Sequence, residues 1–486
     1  MRHTRYIAVA IIIIAGCSQP VHNYDAILEK INNSMHEGDL KTAVSIAGSL
    51  KSITTNEKVR WKADSLIQIS ERIPVDFLLT EDDVRDRLQK SLAERFNPDD
   101  IKMWESNGWL EYRIINGEKR FFSRAASNLL LLKDFHQDRA KSDSAAAHDA
   151  EIVFRKDHSE RIITACAEAS APAEPVSMEV VYTLTVKPDV VPDGKIIRCW
   201  LPYPKENNPR QKDVYLLGVS NEKFTLSPDS SVHKSIYMES IARKGKPAIF
   251  RISYSYKSSG QFFDPSSIKV LPYNKASGLY MKYTAEQLPQ ICFTSNIRHL
   301  ADSITGNEEN PFEIVRKIYY WFSNNIPWAG APEYSITPNI PEYVLANRRG
   351  DCGMQTFLFM SMLRYKGVPV RWESGWNMQP DFKNLHDWCE VYFEGTGWIP
   401  VDVEHGLQYS DNQKTKEFYI SGIDSYRLIV NDGISGSLYP AKKFLRSEPF
   451  DFQRGEVEWK GGNLYFDKWD YEMKIEYKNQ MAPPYR

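Results

Sequence analysis

The mainly apolar stretch at residues 354 to 365, which follows a Gly-Asp-Cys-Gly sequence, constrains the fold of this chain more than any other feature. Residues 350 to 353 read Gly-Asp-Cys-Gly, and residues 354 to 365 follow with neither proline nor glycine. Such a run predicts a buried helix. Asp351 suits an N-cap, and Gly367 suits a left-handed exit after Lys366. We therefore expect a helix from about Cys352 to Lys366, with the cysteine in its first turn.

A thiol in that position is a candidate nucleophile. The first turn of a helix presents unpaired backbone N–H groups and the positive end of the helix dipole. Both stabilise negative charge, so we expect the Cys352 thiolate to be favoured over the thiol. A catalytic thiol also needs a base.

A predicted hairpin downstream supplies a histidine and an acid. Residues 386 to 393 are typical of a strand, residues 395 to 397 of a turn, and residues 398 to 403 of a returning strand. A three-residue loop that pairs Glu394 with Trp398 would place His386 and Asp402 on one face. A loop of even length would separate them, and the sequence does not fix the register. Even in the favourable pairing the two residues are offset, so twist or a bulge must close the distance.

These motifs together resemble the transglutaminase-like superfamily. They are Gly-Asp-Cys at the helix start, Gly-Val-Pro-Val-Arg at 367 to 371, His-x-Trp-x-Glu-Val-Tyr at 386 to 392 and Gly-Trp-Ile-Pro-Val-Asp at 397 to 402. The resemblance covers about residues 275 to 405 and implies a papain-like core. It also implies that Cys352, His386 and Asp402 act together as a catalytic triad.

The resemblance also suggests a role for Trp328, which follows the helix predicted from about residue 311 to residue 325. In such proteins an aromatic residue after this helix often stands near the thiol, so Trp328 is a candidate oxyanion donor. Packing is the equally weighted alternative. Many members continue the last motif as Asp-Pro-Thr, whereas this chain has Asp-Val-Glu at 402 to 404. The third catalytic residue itself is retained.

The chain is long enough for several domains. Its 486 residues correspond to about three or four domains. Helical periodicity comes first and strand periodicity later, so we predict an α+β multidomain protein. The expected parts are a signal peptide at 1 to 17, a mainly helical region at 18 to 164 with a hairpin near 109 to 123, a β-sandwich at 176 to 262, the papain-like core at 275 to 405 and a β-rich segment at 406 to 486. For this last segment we expect a small β module or an extension of the core sheet.

The N-terminus has the pattern of an export signal. A basic start precedes an apolar run that is too short to span a membrane, and residues 14 to 17 read Ile-Ala-Gly-Cys. This resembles a bacterial lipoprotein signal, which implies lipidation of Cys17 and a lipid-anchored location in the cell envelope, with the outer membrane favoured. An ordinary cleaved signal peptide is the alternative.

Charge and cysteine spacing limit the functions. The net charge of −2 gives no reason to expect a nucleic acid partner. No CxxC pair or paired histidine cluster occurs, so we expect no structural zinc and no cofactor. Cys389, the rival thiol, lies mid-strand and is expected in the core.

The expected activity is cysteine-dependent acyl transfer on peptide or amide bonds. We favour hydrolysis of a peptide, protein or cell-wall-derived substrate over cross-linking by a protein-glutamine gamma-glutamyltransferase. Cross-linking needs a channel that positions a lysine and excludes water, and the sequence contains no stretch that is bound to form one. A third possibility is an exported binding scaffold without activity.

Overall fold

The computed structural model describes residues 24–137, 149–168 and 170–478, and it has the predicted α+β architecture. The predicted signal peptide and Cys17 lie outside these residues. The helices are α1 (Tyr24–His36), α2 (Leu40–Ile53), α3 (Glu57–Asp76), α4 (Glu81–Leu92), α5 (Asp100–Ser106), α6 (Ala125–Gln137), α7 (Ala150–Ala165), α8 (Gly278–Thr284), α9 (Ser295–Thr305), α10 (Pro311–Asn325), α11 (Ile340–Asn347), α12 (Cys352–Tyr365), α13 (Gln413–Lys416) and α14 (Phe418–Ser421). None of the described helices is both long and apolar enough to cross a membrane.

The strands fall into four sheets. They are β1 (Tyr112–Ile115), β2 (Glu118–Phe121), β3 (Ala173–Val186), β4 (Ile196–Pro202), β5 (Gln211–Val219), β6 (Phe224–Leu226), β7 (Ser235–Ile241), β8 (Ala248–Phe262), β9 (Val370–Asn377), β10 (Asn384–Phe393), β11 (Gly397–Val401), β12 (Gly422–Ile423), β13 (Arg427–Asn431), β14 (Glu456–Trp459), β15 (Gly462–Leu464) and β16 (Trp469–Lys478).

The N-terminal helices build their own small cores. Apolar residues of α1, α2 and α3 pack together, and a second cluster joins α4, α5 and α6 to the hairpin of β1 and β2. Asn116 and Gly117 form the hairpin turn with φ of 52° and 85°, the left-handed backbone that an Asn-Gly turn accommodates.

This helical region packs against the loop that precedes α11. Asn128 of α6 exchanges two hydrogen bonds with the backbone of Gly330, at 2.8 and 2.9 Å. The backbone N–H of Glu333 donates to the Asp76 carboxylate at the end of α3, at 2.7 Å. These contacts fix the course of the loop between α10 and α11.

Asp76 makes this contact pH-sensitive. Burial, and then the nearby Glu333, raise the pKa of Asp76 to about 7. A carboxyl group whose pKa is raised on folding stabilises the protein below its unfolded pKa of ~4, and this contribution is lost as pH rises towards 7. Asp76→Asn retains an acceptor for the Glu333 N–H but cannot ionise.

We therefore expect Asp76→Asn to be more stable than the unmodified protein at pH 8, by a few kcal/mol at most, since one pKa unit corresponds to ~1.4 kcal/mol. The difference should shrink towards pH 4. Thermal unfolding across this range measures it, with Asp470→Asn as control because the Asp470 side chain is 72% exposed. Equal destabilisation by Asp76→Asn at both pH values would contradict the prediction.

The β-sandwich consists of two sheets around one apolar core. One sheet has the order β12-β8-β3-β16, with β5 also paired to β8, and the other has the order β15-β14-β4-β7-β6. Alternate residues of β3 and β8 are buried, as the strand periodicity predicts. They pack against buried residues of β4, β7 and β14 in one cluster.

The C-terminal segment is not a separate β module. Its strand β13 pairs with β9 and so extends the core sheet, as one of the two sequence expectations allowed. However, β14 pairs with β4 and β16 pairs with β3, so these later strands complete both sheets of the sandwich. Sequence periodicity identifies strands but not such long-range partners, which is why the expected boundaries at 262 and 406 do not describe this arrangement.

The papain-like core surrounds α12. This helix is buried along nearly its whole length, from Cys352 to Arg364. It packs against α9, α10 and α11 and against the sheet of order β11-β10-β9-β13. A helix that is mainly apolar on all sides is stable only inside such a core.

Candidate active site

The start of α12 holds Cys352 in a fixed position. The Asp351 carboxylate caps the helix by accepting the Met354 N–H at 2.9 Å, and it also accepts the Tyr334 hydroxyl at 2.6 Å. Gly353 has no room for a side chain, because a Cβ there would lie 2.2 Å from the Tyr334 hydroxyl and 2.5 Å from Asp387. The Asp-Cys-Gly sequence thus lets strand β10 approach the helix closely.

Strand β10 passes directly against the sulfur. The Cys352 Sγ lies 3.9 Å from the Leu385 carbonyl oxygen and 3.5 Å from the Asp387 Oδ2. Sequence reasoning missed Asp387, although a carboxylate within a strand buried on both faces, next to the predicted base, was an available signal. It is the side chain that hydrogen-bonds to the proposed nucleophile.

The thiol does not have the lowered pKa that the helix position predicted. Burial, followed by the negative charges of Asp387, Asp351 and Glu404, raises the pKa of Cys352 well above its ordinary value. The expectation of a resting thiolate is therefore wrong, because desolvation and neighbouring carboxylates outweigh the favourable end of the helix. The resting cysteine is a protonated thiol.

His386 and Asp402 lie together as predicted. His386 Nε2 and Asp402 Oδ2 are 2.7 Å apart, and both side chains are buried. The strands pair Phe393 with Gly397, a register shift of two residues from the expected pairing, so even-numbered residues still face even-numbered residues. The same-face prediction is confirmed because a three-residue loop preserves this parity.

Two histidines and a buried guanidinium keep Asp402 ionised. Burial alone would raise the pKa of the Asp402 carboxyl, but His386, His405 and Arg427 together hold it well below its usual range. The Arg427 Nη2 lies 2.9 Å from Asp402 Oδ2 and 2.5 Å from Asp424 Oδ2. Asp402 is therefore available as an anion to orient the imidazole.

A second histidine was missed by the sequence reasoning. The His405 ring stacks on the His386 ring with centroids 4.9 Å apart, and its Nδ1 lies 3.2 Å from Glu404. Glu404 Oε2 also lies 3.8 Å from His386 Nδ1. The Asp-Val-Glu-His sequence that departs from the family pattern thus supplies two more charged or polar groups beside the base.

These groups also have the proximity of metal ligands. Single donor atoms of His386, Asp402, Glu404 and His405 all lie within 4.8 Å of one another. Two of them already contact guanidinium groups: Asp402 contacts the buried Arg427, and His405 Nδ1 lies 2.9 Å from the partly buried Arg155. Because these cations already balance the carboxylates, the donor set fits an ion-pair network better than a metal centre.

The thiol and the imidazole do not touch in this state. Within the described ranges, no hydrogen bond joins Cys352 to His386. Successive side chains of a strand point to opposite faces, so we place His386 on the face of β10 opposite to Asp387, which contacts the sulfur. The imidazole belongs to the face that carries Asp402.

A cleft of about 120 Å³ opens beside Cys352. Its walls come from the loop after α10, the start of α12, the start of β10 and the segment before β14. The lining residues include Trp328, Tyr334, Cys352, Leu385, Asp387 and Asp451. Trp328 also forms a backbone bridge with Gly350, which fixes it close to the start of α12.

Trp328 therefore lines the same cleft as Cys352, and its role as an oxyanion donor remains a prediction. We expect Trp328→Phe to keep the ring packing but to lower kcat by about 100-fold, the effect of removing one oxyanion donor. Trp321→Phe serves as control, because Trp321 packs under Arg348 and does not line the cleft. Peptide hydrolysis rates measure both, and equal rates for the two variants would assign Trp328 to packing.

The other described cysteines are buried and unpaired. Cys389 is fully buried, with its Sγ 3.6 Å from the Val401 carbonyl oxygen. This is the expected environment of a core residue, and burial raises the pKa of its thiol well above the ordinary value. Cys389 therefore has no opening through which to reach a substrate.

Known proteins resemble parts of this chain. Residues 298–403 match the family model of the transglutaminase-like superfamily. The uncharacterized protein YebA of Bacillus subtilis is 25% identical over 140 residues, which cover 25% of this chain and 19% of YebA. The chain thus spans about a fifth of the length of that curated relative.

Solved structures overlap with the chain more loosely. A protein of Cytophaga hutchinsonii described as a candidate cysteine protease has a TM-score of 0.40 and 14% identity, covering 65% of this chain and 94% of that one. The periplasmic domain of TgpA from Pseudomonas aeruginosa has a TM-score of 0.27 and 14% identity, covering 51% and 91%. The family match contains Cys352 and His386 and extends through Asp402, so residues 298–403 are a core of the transglutaminase-like superfamily.

Proposed function

We propose that the protein is a cysteine peptidase or amidase that works through an acyl-thioester. The observation that carries this proposal is a thiol at a helix start that opens into a cleft, against the strand that carries His386, whose imidazole pairs with the buried Asp402. A scaffold protein would have no need to keep these groups together. The buried charges around them cost stability, which indicates a functional use.

The proposed reaction begins with the protonated thiol. Cys352 Sγ attacks the carbonyl carbon while its proton passes to His386 Nδ1, since Nε2 is held by Asp402. The C–N bond breaks as the imidazolium returns the proton to the departing amine, which leaves a thioester. Water, deprotonated by the same imidazole, then releases the carboxylate and the thiol.

Two groups would stabilise the oxyanion that forms on the carbonyl oxygen. The backbone N–H of Cys352 lies at the helix start, where the first N–H groups have no partner within the helix. The indole N–H of Trp328 is the second candidate donor. Contact between thiol and imidazole is required only in the substrate complex, and such hydrogen bonds are commonly long in free enzymes.

Hydrolysis and cross-linking are distinguished by the fate of the acyl group. Incubation with labelled peptides, with and without a large excess of a primary amine, measures both products. We expect free carboxylate to form faster than amine adducts. Faster adduct formation would instead support a protein-glutamine gamma-glutamyltransferase, and the absence of both products across a broad peptide library would support the scaffold.

We also propose that the mature protein is exported and lipid-anchored through Cys17 in the bacterial cell envelope. The support is the basic start, the short apolar run and the Ile-Ala-Gly-Cys sequence at 14 to 17. Peptides and wall fragments would be accessible substrates there.

Cys17→Ser is expected to leave an unprocessed or soluble protein, because the serine has no thiol to accept the lipid. Membrane fractionation and mass spectrometry of the N-terminal peptide measure this. The control is Cys166→Ser, which changes a cysteine outside the signal and should leave fractionation unchanged. Unchanged fractionation of the Cys17 variant, together with an unmodified N-terminal peptide, would exclude the anchor.

A further inference from the structure

The cleft beside Cys352 is lined by more acidic than basic side chains. Its lining includes the five acids Glu333, Asp351, Asp387, Glu448 and Asp451 but only the two cations Arg124 and Arg454. A cleft lined by one sign of charge concentrates ligands of the opposite sign. Whether this excess is available to a ligand depends on which of the acids already have partners.

Three of the five acids are used within the protein. Arg454 binds Glu333 through two contacts of 2.8 and 2.7 Å and binds Glu448 at 2.6 Å. Asp351 caps α12 and accepts the Tyr334 hydroxyl. The second cation, Arg124, is exposed and packs with its side chain against Gly330, at the rim of the cleft.

The two remaining acids form no ion pair within the described residues, although the nearby Arg454 and Arg446 offset part of the rise in the pKa of Asp451. Asp387 Oδ1 accepts the Gln453 amide N–H at 2.8 Å, and its Oδ2 faces the Cys352 sulfur. Asp451 is 4% exposed, and in the described part of the chain no other residue forms a hydrogen bond or ion pair with its carboxylate. Arg446 binds the backbone carbonyl of Asp451 instead.

A buried carboxylate without a partner is costly, and its pKa records that cost. Burial, and then Asp451, raise the pKa of Asp387 well above its ordinary value. Burial, and then Glu448, do the same for Asp451. An ammonium group between the two carboxylates would remove this cost through charge-assisted hydrogen bonds.

We propose that Asp387 and Asp451 bind a protonated amine of the substrate, so that Cys352 acts on peptides that carry an ammonium group close to the cleaved carbonyl. This inference rests on the proposed acyl-transfer function and names the substrate class of the same site. An N-terminal α-amine and a lysine-type side-chain amine present the same chemistry. The cleft volume of about 120 Å³ admits a group of that size.

Thiol modification tests the charge preference without requiring turnover. The full-length protein is treated with 2-aminoethyl methanethiosulfonate, which is cationic, and with methyl methanethiosulfonate, which is neutral. Each forms a mixed disulfide with Cys352 and releases methanesulfinate, and mass spectrometry of the Cys352 peptide gives the rate. We expect the cationic-to-neutral rate ratio to exceed that of a free model thiol by 10-fold or more.

Asp451→Asn should lower this ratio several-fold. Glu472→Gln makes the same change of charge on a side chain that is 63% exposed and should leave the ratio unchanged. The ratio in the unmodified protein is informative even if the Asp451 variant does not fold. A ratio equal to that of the model thiol would overturn the proposal, and so would failure of either small reagent to reach Cys352.

Peptide substrates then identify the source of the amine. Three versions of one peptide carry a free α-amine only, a lysine side-chain amine only, or neither because both amines are acetylated. We expect one amine-bearing version to have a kcat/KM at least 10-fold above the fully acetylated version, and Asp451→Asn to remove that preference. Equal kcat/KM for all three versions would overturn the proposal, although hydrolysis itself would be established. Absence of hydrolysis, together with a preference for the cationic reagent in thiol labelling, would refute only the proposed peptidase or amidase function.

Discussion

Replacing Cys352 with alanine is expected to lower peptide hydrolysis by about 10⁴ to 10⁶-fold, the loss seen when a covalent nucleophile is removed. No other described thiol lines the cleft. The fold should persist, because alanine suits a helix start in size and because the sulfur makes only the long contacts with Leu385 and Asp387. Turnover per folded molecule and thermal unfolding measure the two expectations separately.

Cys389→Ala is the matched control for this variant. Both substitutions remove a buried thiol from the same core, but Cys389 is fully enclosed within strand β10. We expect the control to lose about 1 kcal/mol of stability through the small cavity and to retain its activity. An inactive Cys389 variant beside an active Cys352 variant would show that Cys352 is not the nucleophile.

Local sequence signals were sufficient for the elements that carry the proposed catalytic residues. The Asp351 cap and the Gly367 exit, with φ of 77°, bound α12 as predicted. His386 and Asp402 share a face because the loop between their strands has an odd length, and this result survives the register shift of two residues. Periodicity and capping are short-range properties, so a single sequence can display them.

Long-range packing and electrostatics were not accessible in the same way. Arg427 reaches Asp402 from strand β13, which lies in the C-terminal segment and pairs with β9. The Cys352 thiol has a raised pKa because the whole site is buried and because β10 brings Asp387 against it. Each of these facts depends on which distant elements meet, and no local pattern encodes that.

Asp402→Asn is expected to lower kcat by about 10⁴-fold, the loss known for an amide at the acid position of a serine-protease triad. Asp402 Oδ2 lies 2.7 Å from His386 Nε2, so the carboxylate requires that this nitrogen carry the proton and leaves Nδ1 free to accept the thiol proton. An asparagine can donate to Nε2 instead and so favours the tautomer that cannot act as a base.

The same substitution should also destabilise the protein. The pKa of Asp402 is held below its unfolded value, so its contribution to stability is present above pH ~4 and is lost as pH falls through the lower folded pKa. At neutral pH the variant loses that contribution and leaves Arg427 with less negative charge around it. Removing one partner from a buried ion pair costs about 3 to 5 kcal/mol.

Asp424→Asn separates the two effects. Asp424 pairs with the same Arg427 and is equally buried, and its hydrogen bonds run to Arg427, Tyr419 and the Tyr426 backbone rather than to His386. We expect a comparable loss of stability in this control but a much smaller change in kcat, measured per folded molecule well below both unfolding temperatures. If the two variants lost kcat equally, Asp402 would act only by holding Arg427, and the orientation of His386 would have to come from Glu404 and His405, which contact its other ring nitrogen and its ring face.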